Sequence, residues 1–289
     1  MQTQTLCGKE VAKHLLAEVR EELAVWKESQ SQAPGLALIL VGHYPPSEVY
    51  VAAKKKKAEE LGFRAETFRF PESISESELL KALYQIQNDP LIHGVLIQLP
   101  LPAHLNRQNI LAGLDPRKDV DALTWTNLGR LMANQFEVAP CTAHGVTKIL
   151  DYYSIPVEGK RVVVVGRSLI VGMPLSVLLT HRNATVSLAH SKTKNLSELT
   201  SQADICVFAA HQKNLFDRSF VKKGAVVIDV GIHRLEPKGL TGDCDQESLQ
   251  DWATALTPVP GGVGPVTVAM VMVNLMRLAK LQIKPLQEN

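Results

Sequence analysis

Four consecutive valines running into a glycine leave this chain few folds to choose from. The stretch from Arg161 to Pro174 reads RVVVVGRSLIVGMP. An unbroken β-branched run predicts a strand buried on both faces, as in a parallel sheet. Gly166 at its carboxyl end lets the backbone turn sharply into a helix spanning roughly Gly172 to His181. A helix entered in this way points its first N–H groups and its positive dipole end at whatever lies above the turn, and a pyrophosphate fits there. The spacing G-x-S-x-x-x-G departs from the dinucleotide fingerprint G-x-G-x-x-G. Taken alone, the stretch suits a plain β-α turn as well as a cofactor turn.

The next strand, ATVSLA at 184–189, separates those readings. It ends in His190, Ser191, Lys192 and Thr193, where an NAD-binding fold usually carries an acid for the ribose hydroxyls. No acid stands there. A hydroxyl and cationic groups, with Arg167 in the first turn, suit a ribose carrying an extra phosphate, so NADP is the expected cofactor. A solvated polar loop is the other reading.

Buried strands are expected again at 36–41 (LALILV) and 95–99 (VLIQL), with an alternating strand at 64–70 between them. Helices over Ser47–Leu61 and from Ser75–Glu78, a capping-box pair, to Gln87 connect them. This βαβαβ unit should have a parallel sheet, because such crossovers are right-handed. An amphipathic helix at 8–28 precedes it. A proline-bearing stretch at 100–140 follows, and Thr142 is a plausible N-cap for a helix over Ala143–Tyr153. Strands at 162–165, 184–189, 204–208 and 225–230 then build a second doubly wound sheet. After TPVPGGVGP, the apolar segment 265–281 reads as a helix opening with Pro265 and packing back onto the first domain.

At 289 residues two such domains fit, and a net charge of +2 is too mild to argue for nucleic acid. The four cysteines are widely spaced, and Cys141 with His144 is too few ligands for zinc, so reduced thiols in a cytoplasmic protein are expected. No export signal or membrane span is expected.

The helix SEVYVAAKKKKAEEL carries the second constellation. At about 100° per residue, Tyr50, Val51, Ala53, Ala58 and Leu61 share an apolar arc, and both Lys54 and Lys57 fall inside it. Lys54 is nearer the helix start, hence nearer the strand end where such sheets collect ligands. An ammonium held against apolar neighbours loses hydration and becomes able to exchange protons near neutrality, which makes Lys54 the candidate acid/base with Tyr50 one turn away. Snorkelling of both lysines to water is the bland alternative. Gln98 interrupts VLIQL at the same edge and needs a polar partner, which the ammonium would supply. Asp121 in RKDVDAL could offer a carboxylate to a nitrogen-rich heterocycle or simply hold a turn. Pro260-Gly261-Gly262-Val263-Gly264 brings backbone close to a ligand or a neighbouring strand.

Together YVAAK (50–54), GVLIQLPLP (94–102), KDVDAL (118–123), VVVGRSLIVGMP (163–174), HSKT (190–193) and TPVPGGVGPVT (257–267) resemble the bifunctional methylenetetrahydrofolate dehydrogenase/methenyltetrahydrofolate cyclohydrolase family in order and spacing. The resemblance implies an α/β protein of two domains. Residues 1–140 plus 266–289 would form a three-layer folate-binding catalytic domain, and 141–265 a Rossmann-type, parallel-sheet NADP-binding domain. A homodimer acting on tetrahydrofolate derivatives is implied. So is Lys54 as acid/base of the cyclohydrolase step, with Tyr50 beside it and Gln98 orienting its ammonium. Leu99 and Asp121 would contact the substrate, Asp121 at the pterin ring, and the backbone of Pro260, Gly261, Gly262, Val263 and Gly264 would line its cleft. Gly166, Arg167, Ser168, Ser191 and Ile232 would contact NADP. The chain departs from the family at Ala122, usually glycine, and at Ala143, usually proline. The loop AAHQKNLF (209–216) replaces a glycine-and-proline turn and puts His211 and Lys213 near the expected nicotinamide and ribose. Two alternatives therefore stand beside the bifunctional enzyme: the same fold with cyclohydrolase action only, and a non-catalytic folate- or nucleotide-binding regulator.

Overall fold

The computed structural model describes residues 2–235 and 239–283. The chain packs as two compact units, one of His14–Cys141 with the segment from Val268 onward, the other of the residues up to Lys13 with Thr142–Thr267. The sequence reading placed the chain's start in the first domain. In the structure the two-residue strand Gln4–Thr5 pairs in parallel with Ala255–Leu256 and belongs to the second unit. So short a strand has no periodicity to read. Residues 284–289, also assigned to the first domain, lie outside the described residues.

The first unit is built on a three-stranded parallel sheet in the order Arg64–Phe70, Gly35–Val41, Gly94–Ile97. Gly35–Val41 is central and every residue in it is buried, which is why its sequence is continuously apolar. Helix Glu76–Asn88 starts with the predicted capping box: Ser75 Oγ accepts from the Glu78 N–H, and the Glu78 carboxylate accepts from the Ser75 N–H at 3.0 Å. Its Leu79, Leu83 and Ile86 pack with Ile39, Val41, Val95 and Ile97. Such side chains each contribute roughly 1.5–3 kcal/mol when fully buried.

Helix Val263–Ile283 closes this unit with its later turns, where Met270, Val271, Met272, Leu275, Met276 and Ala279 are all fully buried. The helix is also long and apolar enough, by composition, to cross a membrane. Its burial identifies it as a core helix. It packs so closely that a Cβ on Gly94 would meet Leu275 Cδ1 at 2.8 Å.

The second unit carries a six-stranded, all-parallel sheet in the order Gln4–Thr5, Ala255–Leu256, Val226–Asp229, Ile205–Phe208, Arg161–Val165, Thr185–Ala189. From Arg161–Val165 the next strand in sequence goes to one side and the following one to the other. That reversal opens a crevice at the carboxyl ends of the strands, the ligand position of doubly wound sheets. The helix that leads into this sheet starts earlier than expected. The preceding helix runs from Cys141 to Tyr152, so Thr142 is inside its first turn, with its hydroxyl 3.2 Å from that of Thr267, and is not the cap.

Candidate active site

Helix Pro45–Leu61 buries Ser47, Val51, Lys54, Ala58 and Leu61, a single stripe at alternating steps of four and three. The helical wheel left Lys54 and Lys57 unresolved. The structure buries Lys54 to 6% exposure, while Lys57 turns out to Glu60. Ala53, placed on the apolar arc by the sequence, is exposed, and Tyr50 is half-buried.

The Lys54 ammonium donates to Gln98 Oε1 at 3.1 Å. The other end of that amide is occupied too, because Gln98 Nε2 donates to the Leu99 carbonyl at 2.7 Å. With its NH2 committed to a carbonyl, the amide can only turn its oxygen toward Lys54. Ser47 Oγ, one stripe position earlier, reaches the same Leu99 carbonyl at 3.5 Å. Gln98 lies just past the strand, which ends at Ile97 and not at Leu99 as the apolar run suggested. The Gln98 N–H still donates to the Ile39 carbonyl of the central strand at 2.9 Å, which fixes its backbone at the strand's exit and aims the side chain from there.

The 118–124 loop is tied down from three sides. Asp119 is buried and accepts from the Thr124 N–H at 2.8 Å and from Asn127 Nδ2 at 3.0 Å. Desolvation raises its carboxyl above the usual range despite those bonds. From the C-terminal helix, Asn274 Nδ2 donates to the carbonyls of Val120 at 2.8 Å and Ala139 at 3.0 Å. Asp121 thus leaves a fixed backbone, half-buried beside the Cys141 thiol, which burial first and the Asp121 carboxylate second push well above its ordinary value. Ala122 is fully buried with φ +54, the left-handed region where glycine is the usual occupant. An alanine there costs about 1–2 kcal/mol. Asn274 was missed by the sequence reading, although a lone amide within PVTVAMVMVNLMRLAKL was a signal for it.

In the second unit, the Gly166 turn is shaped by backbone contact. Gly166 has φ +124, and a Cβ there would fall 2.2 Å from the Ala209 carbonyl oxygen. A Cβ on Gly172 would fall 1.7 Å from the Gly166 carbonyl oxygen. Ser168 Oγ accepts from the Val171 N–H at 3.2 Å, which folds the turn back onto the helix Gly172–His181. Val171 at the N-cap has no side-chain acceptor to offer; the Met173 N–H goes to the Ser168 carbonyl at 3.1 Å and Pro174 has no N–H, so of the first turn it is the Gly172 N–H that can face an anion. Arg167 and Ser168 are exposed above it. Val165 and Ala189 are register partners, so the HSKT segment leaves the sheet beside the Gly166 turn. There the His190 N–H donates to Thr193 Oγ1 at 2.9 Å, and Ser191 and Lys192 point outward. Backbone amides, a helix N-terminus, an arginine and hydroxyls at a sheet switch point form a donor set suited to a phosphorylated dinucleotide.

Across the crevice, strand Ile205–Phe208 leads into the 209–216 loop and strand Val226–Asp229 into Ile232, which is exposed. Two buried carboxylates hold these exits, and neither was singled out in the sequence. Asp229 accepts from the N–H groups of Gly231, Asp243 and Cys244 at 2.9–3.0 Å, and burial pushes it up to about 6. Asp243 accepts from Ala210, His211 and Gln212 N–H at 2.6, 3.1 and 2.9 Å. The glycine stretch at 260–264 makes its close approach to the start of the first helix: a Cβ on Gly8 would fall 1.7 Å from the Gly262 carbonyl oxygen.

The helix Cys141–Tyr152 carries a group with a pH consequence. Burial first, then the Lys148 charge, lowers the His144 imidazole to about 4 from an ordinary 6.5. The folded protein keeps it neutral where the unfolded chain takes a proton, so stability is lost as pH falls from 6.5 toward about 4, by about 3 kcal/mol in all. Asp229 acts in the opposite sense, because its folded value lies above its unfolded one. Comparing urea midpoints of the parent and His144→Gln isolates the histidine: the parent is expected to lose more stability on acidification than the variant. Equal acid sensitivity would show that His144 is not the titrating group.

The sequence profile of the tetrahydrofolate dehydrogenase/cyclohydrolase catalytic domain matches residues 6–121, and that of the same family's NAD(P)-binding domain matches 140–283. The bifunctional protein FolD of Bdellovibrio bacteriovorus is 47% identical over 276 residues, covering 95% of this chain and 96% of that one. Among solved structures, the bifunctional enzyme FolD, methylenetetrahydrofolate dehydrogenase/cyclohydrolase, from Campylobacter jejuni superposes with a TM-score of 0.93 at 40% identity, over 97% of this chain and 100% of that chain. The Trypanosoma brucei methylenetetrahydrofolate dehydrogenase-cyclohydrolase, complexed with NADP cofactor and inhibitor, gives a TM-score of 0.95 at 34% identity, over 99% and 100% of the two chains.

Proposed function

The chain belongs to the tetrahydrofolate dehydrogenase/cyclohydrolase family, and from that premise we propose how its residues divide the family's two reactions. It oxidises methylenetetrahydrofolate to methenyltetrahydrofolate with NADP and hydrolyses the product to 10-formyltetrahydrofolate. The unit containing Lys54 is the folate-binding catalytic domain, and the six-stranded unit binds NADP. NADP held there would supply the acceptor for the hydride that leaves the one-carbon bridge.

That first step needs position more than a strong acid or base. Asp121 accepts from the ring nitrogens of the pterin, and the fixed loop around it sets the height of the one-carbon bridge. Leu99 borders the substrate, and Tyr50 lies one helical turn from Lys54. Gly166, Arg167, Ser168, Ser191 and Ile232 hold the cofactor, with Arg167 and Ser191 on the extra phosphate.

The second step is proton work. Water adds to the methenyl carbon and Lys54, acting as the neutral amine, takes a proton from it; the ammonium so formed gives that proton to the ring nitrogen as its bond to the carbon breaks, and the remaining hydroxyl proton leaves to solvent as the formyl C=O forms. What carries this reading is the buried Lys54 ammonium held at 3.1 Å by an amide whose other end is already committed. A regulator that only binds has no use for so constrained a lysine.

The protein acts as a cytoplasmic homodimer in this reading. Turnover of methylenetetrahydrofolate with NADP and with NAD in parallel tests the whole. Reduction of NADP with little accumulation of the methenyl compound is expected. No reduction with either cofactor, alongside rapid hydrolysis of added methenyl compound, would establish the cyclohydrolase-only alternative. In the same assay Arg167→Ala should lower the preference for NADP over NAD by about tenfold or more, the value of one charge-assisted contact. An unchanged preference would remove Arg167 from the phosphate site.

A further inference from the structure

The 209–216 loop contains no glycine, yet it holds His211 at φ +54 and Asn214 at φ +50. Something outside the loop must keep it there. Asp243 does: its side chain is fully buried, Oδ2 accepts from the N–H groups of Ala210 and His211, and Oδ1 accepts from the Gln212 N–H and from His233 Nε2 at 2.8 Å. Three successive amides converging on one anion form a concave nest of the kind that elsewhere binds a ligand. Here the protein fills the nest itself. The Asp243 backbone is in turn anchored by Asp229, which also holds Gly231. One carboxylate pair therefore fixes both strand exits that face the Gly166 turn, whose backbone touches Ala209.

We propose that Asp243 is a positioning residue for the nicotinamide side of the cofactor crevice: its buried carboxylate, through the amides of residues 210–212 and the ring of His233, sets the 209–212 loop against the Gly166 turn. This rests on the reading of that turn as the NADP site. The carboxylate supplies by charge-assisted hydrogen bonds the geometry that a glycine would adopt unaided.

Asp243→Asn is the test, because it keeps shape while placing an NH2 opposite donors. Whichever way the amide turns, at least one backbone N–H of the loop faces another donor; the His233 ring can change tautomer, but a peptide N–H has no such freedom. NADP binding measured by calorimetry should weaken about tenfold, the scale of one lost charge-assisted bond, and dehydrogenase kcat should fall with it. Hydrolysis of added methenyl compound, which uses no cofactor, should stay at the parent rate and report that the variant is folded. Unchanged NADP affinity in a folded Asp243→Asn overturns the proposal. If Arg167→Ala also leaves NADP affinity unchanged, the cofactor-site reading has failed; if Arg167→Ala weakens NADP and Asp243→Asn does not, only the role of Asp243 has. Should Asp243→Asn not fold, His233→Gln, which can still donate to Oδ1, and His233→Leu, which has no donor, probe the same contact. Weaker NADP binding for the leucine variant alone supports the proposal, and equal affinity for the two overturns it.

Discussion

Replacing Lys54 with methionine should lower hydrolysis of methenyltetrahydrofolate by roughly a hundred- to ten-thousand-fold, the usual contribution of a positioned proton-transfer group. Methionine fits the site's apolar surroundings, since the Lys54 stem is already buried with Val51 and Ala58 on the same stripe of the helix. The fold is therefore expected to survive. The loss comes from removing the only group on that stripe able both to take and to return a proton. Gln98 is then left with Oε1 unpaired while Nε2 stays on the Leu99 carbonyl, a secondary penalty of about 1–3 kcal/mol on local stability. Stopped-flow absorbance of the methenyl compound reads the rate directly, and thermal unfolding confirms the fold. Full hydrolysis by a folded Lys54→Met protein would remove Lys54 from the chemistry.

The second large effect is expected at Gly172. A methyl group there would lie 1.7 Å from the Gly166 carbonyl oxygen and 2.6 Å from its carbon, and both are backbone atoms that no rotamer change can move. Either the turn or the start of the helix must shift. Overpacking a core by one methylene typically costs about 1–3 kcal/mol, and contact with rigid backbone puts Gly172→Ala at or beyond the upper end. Because the displaced atoms are the turn proposed to face the pyrophosphate, NADP binding should be lost along with stability. The same methyl at Gly129, within helix Trp125–Met132, meets nothing within 4 Å and should slightly raise stability. Calorimetric titration with NADP and thermal unfolding of both variants compare a steric clash with a harmless addition. Tight NADP binding by Gly172→Ala would show that the turn tolerates a rearrangement the packing does not suggest.

Elements were legible in the sequence where one face or both faces of a segment are uniformly buried. The three strands of the first sheet, four of the six in the second, the capping box at Ser75, the Gly172–His181 helix and the core helix near the C-terminus each carry a local signal of this kind, and pattern reports burial. Residue chemistry also singled out Lys54 and Gln98, because a charge on an apolar arc and an amide at a strand end each require a partner.

Tertiary structure alone decided the rest. The helical wheel alone does not separate Lys54 from Lys57, and position along the helix only favours Lys54; the neighbours packed over the helix bury one and leave the other to Glu60. Gln4–Thr5 is a strand only because Ala255–Leu256 lies beside it, some 250 residues away along the chain. Asp229, Asp243 and Asn274 look like ordinary polar residues until the backbone amides and carbonyls they bind are brought to them from distant segments. A hydrophobic pattern is a property of a residue and its near neighbours along the chain, so sequence determines it. Hydrogen-bond satisfaction of a buried polar group depends on which segments meet in space, and only the folded chain specifies that.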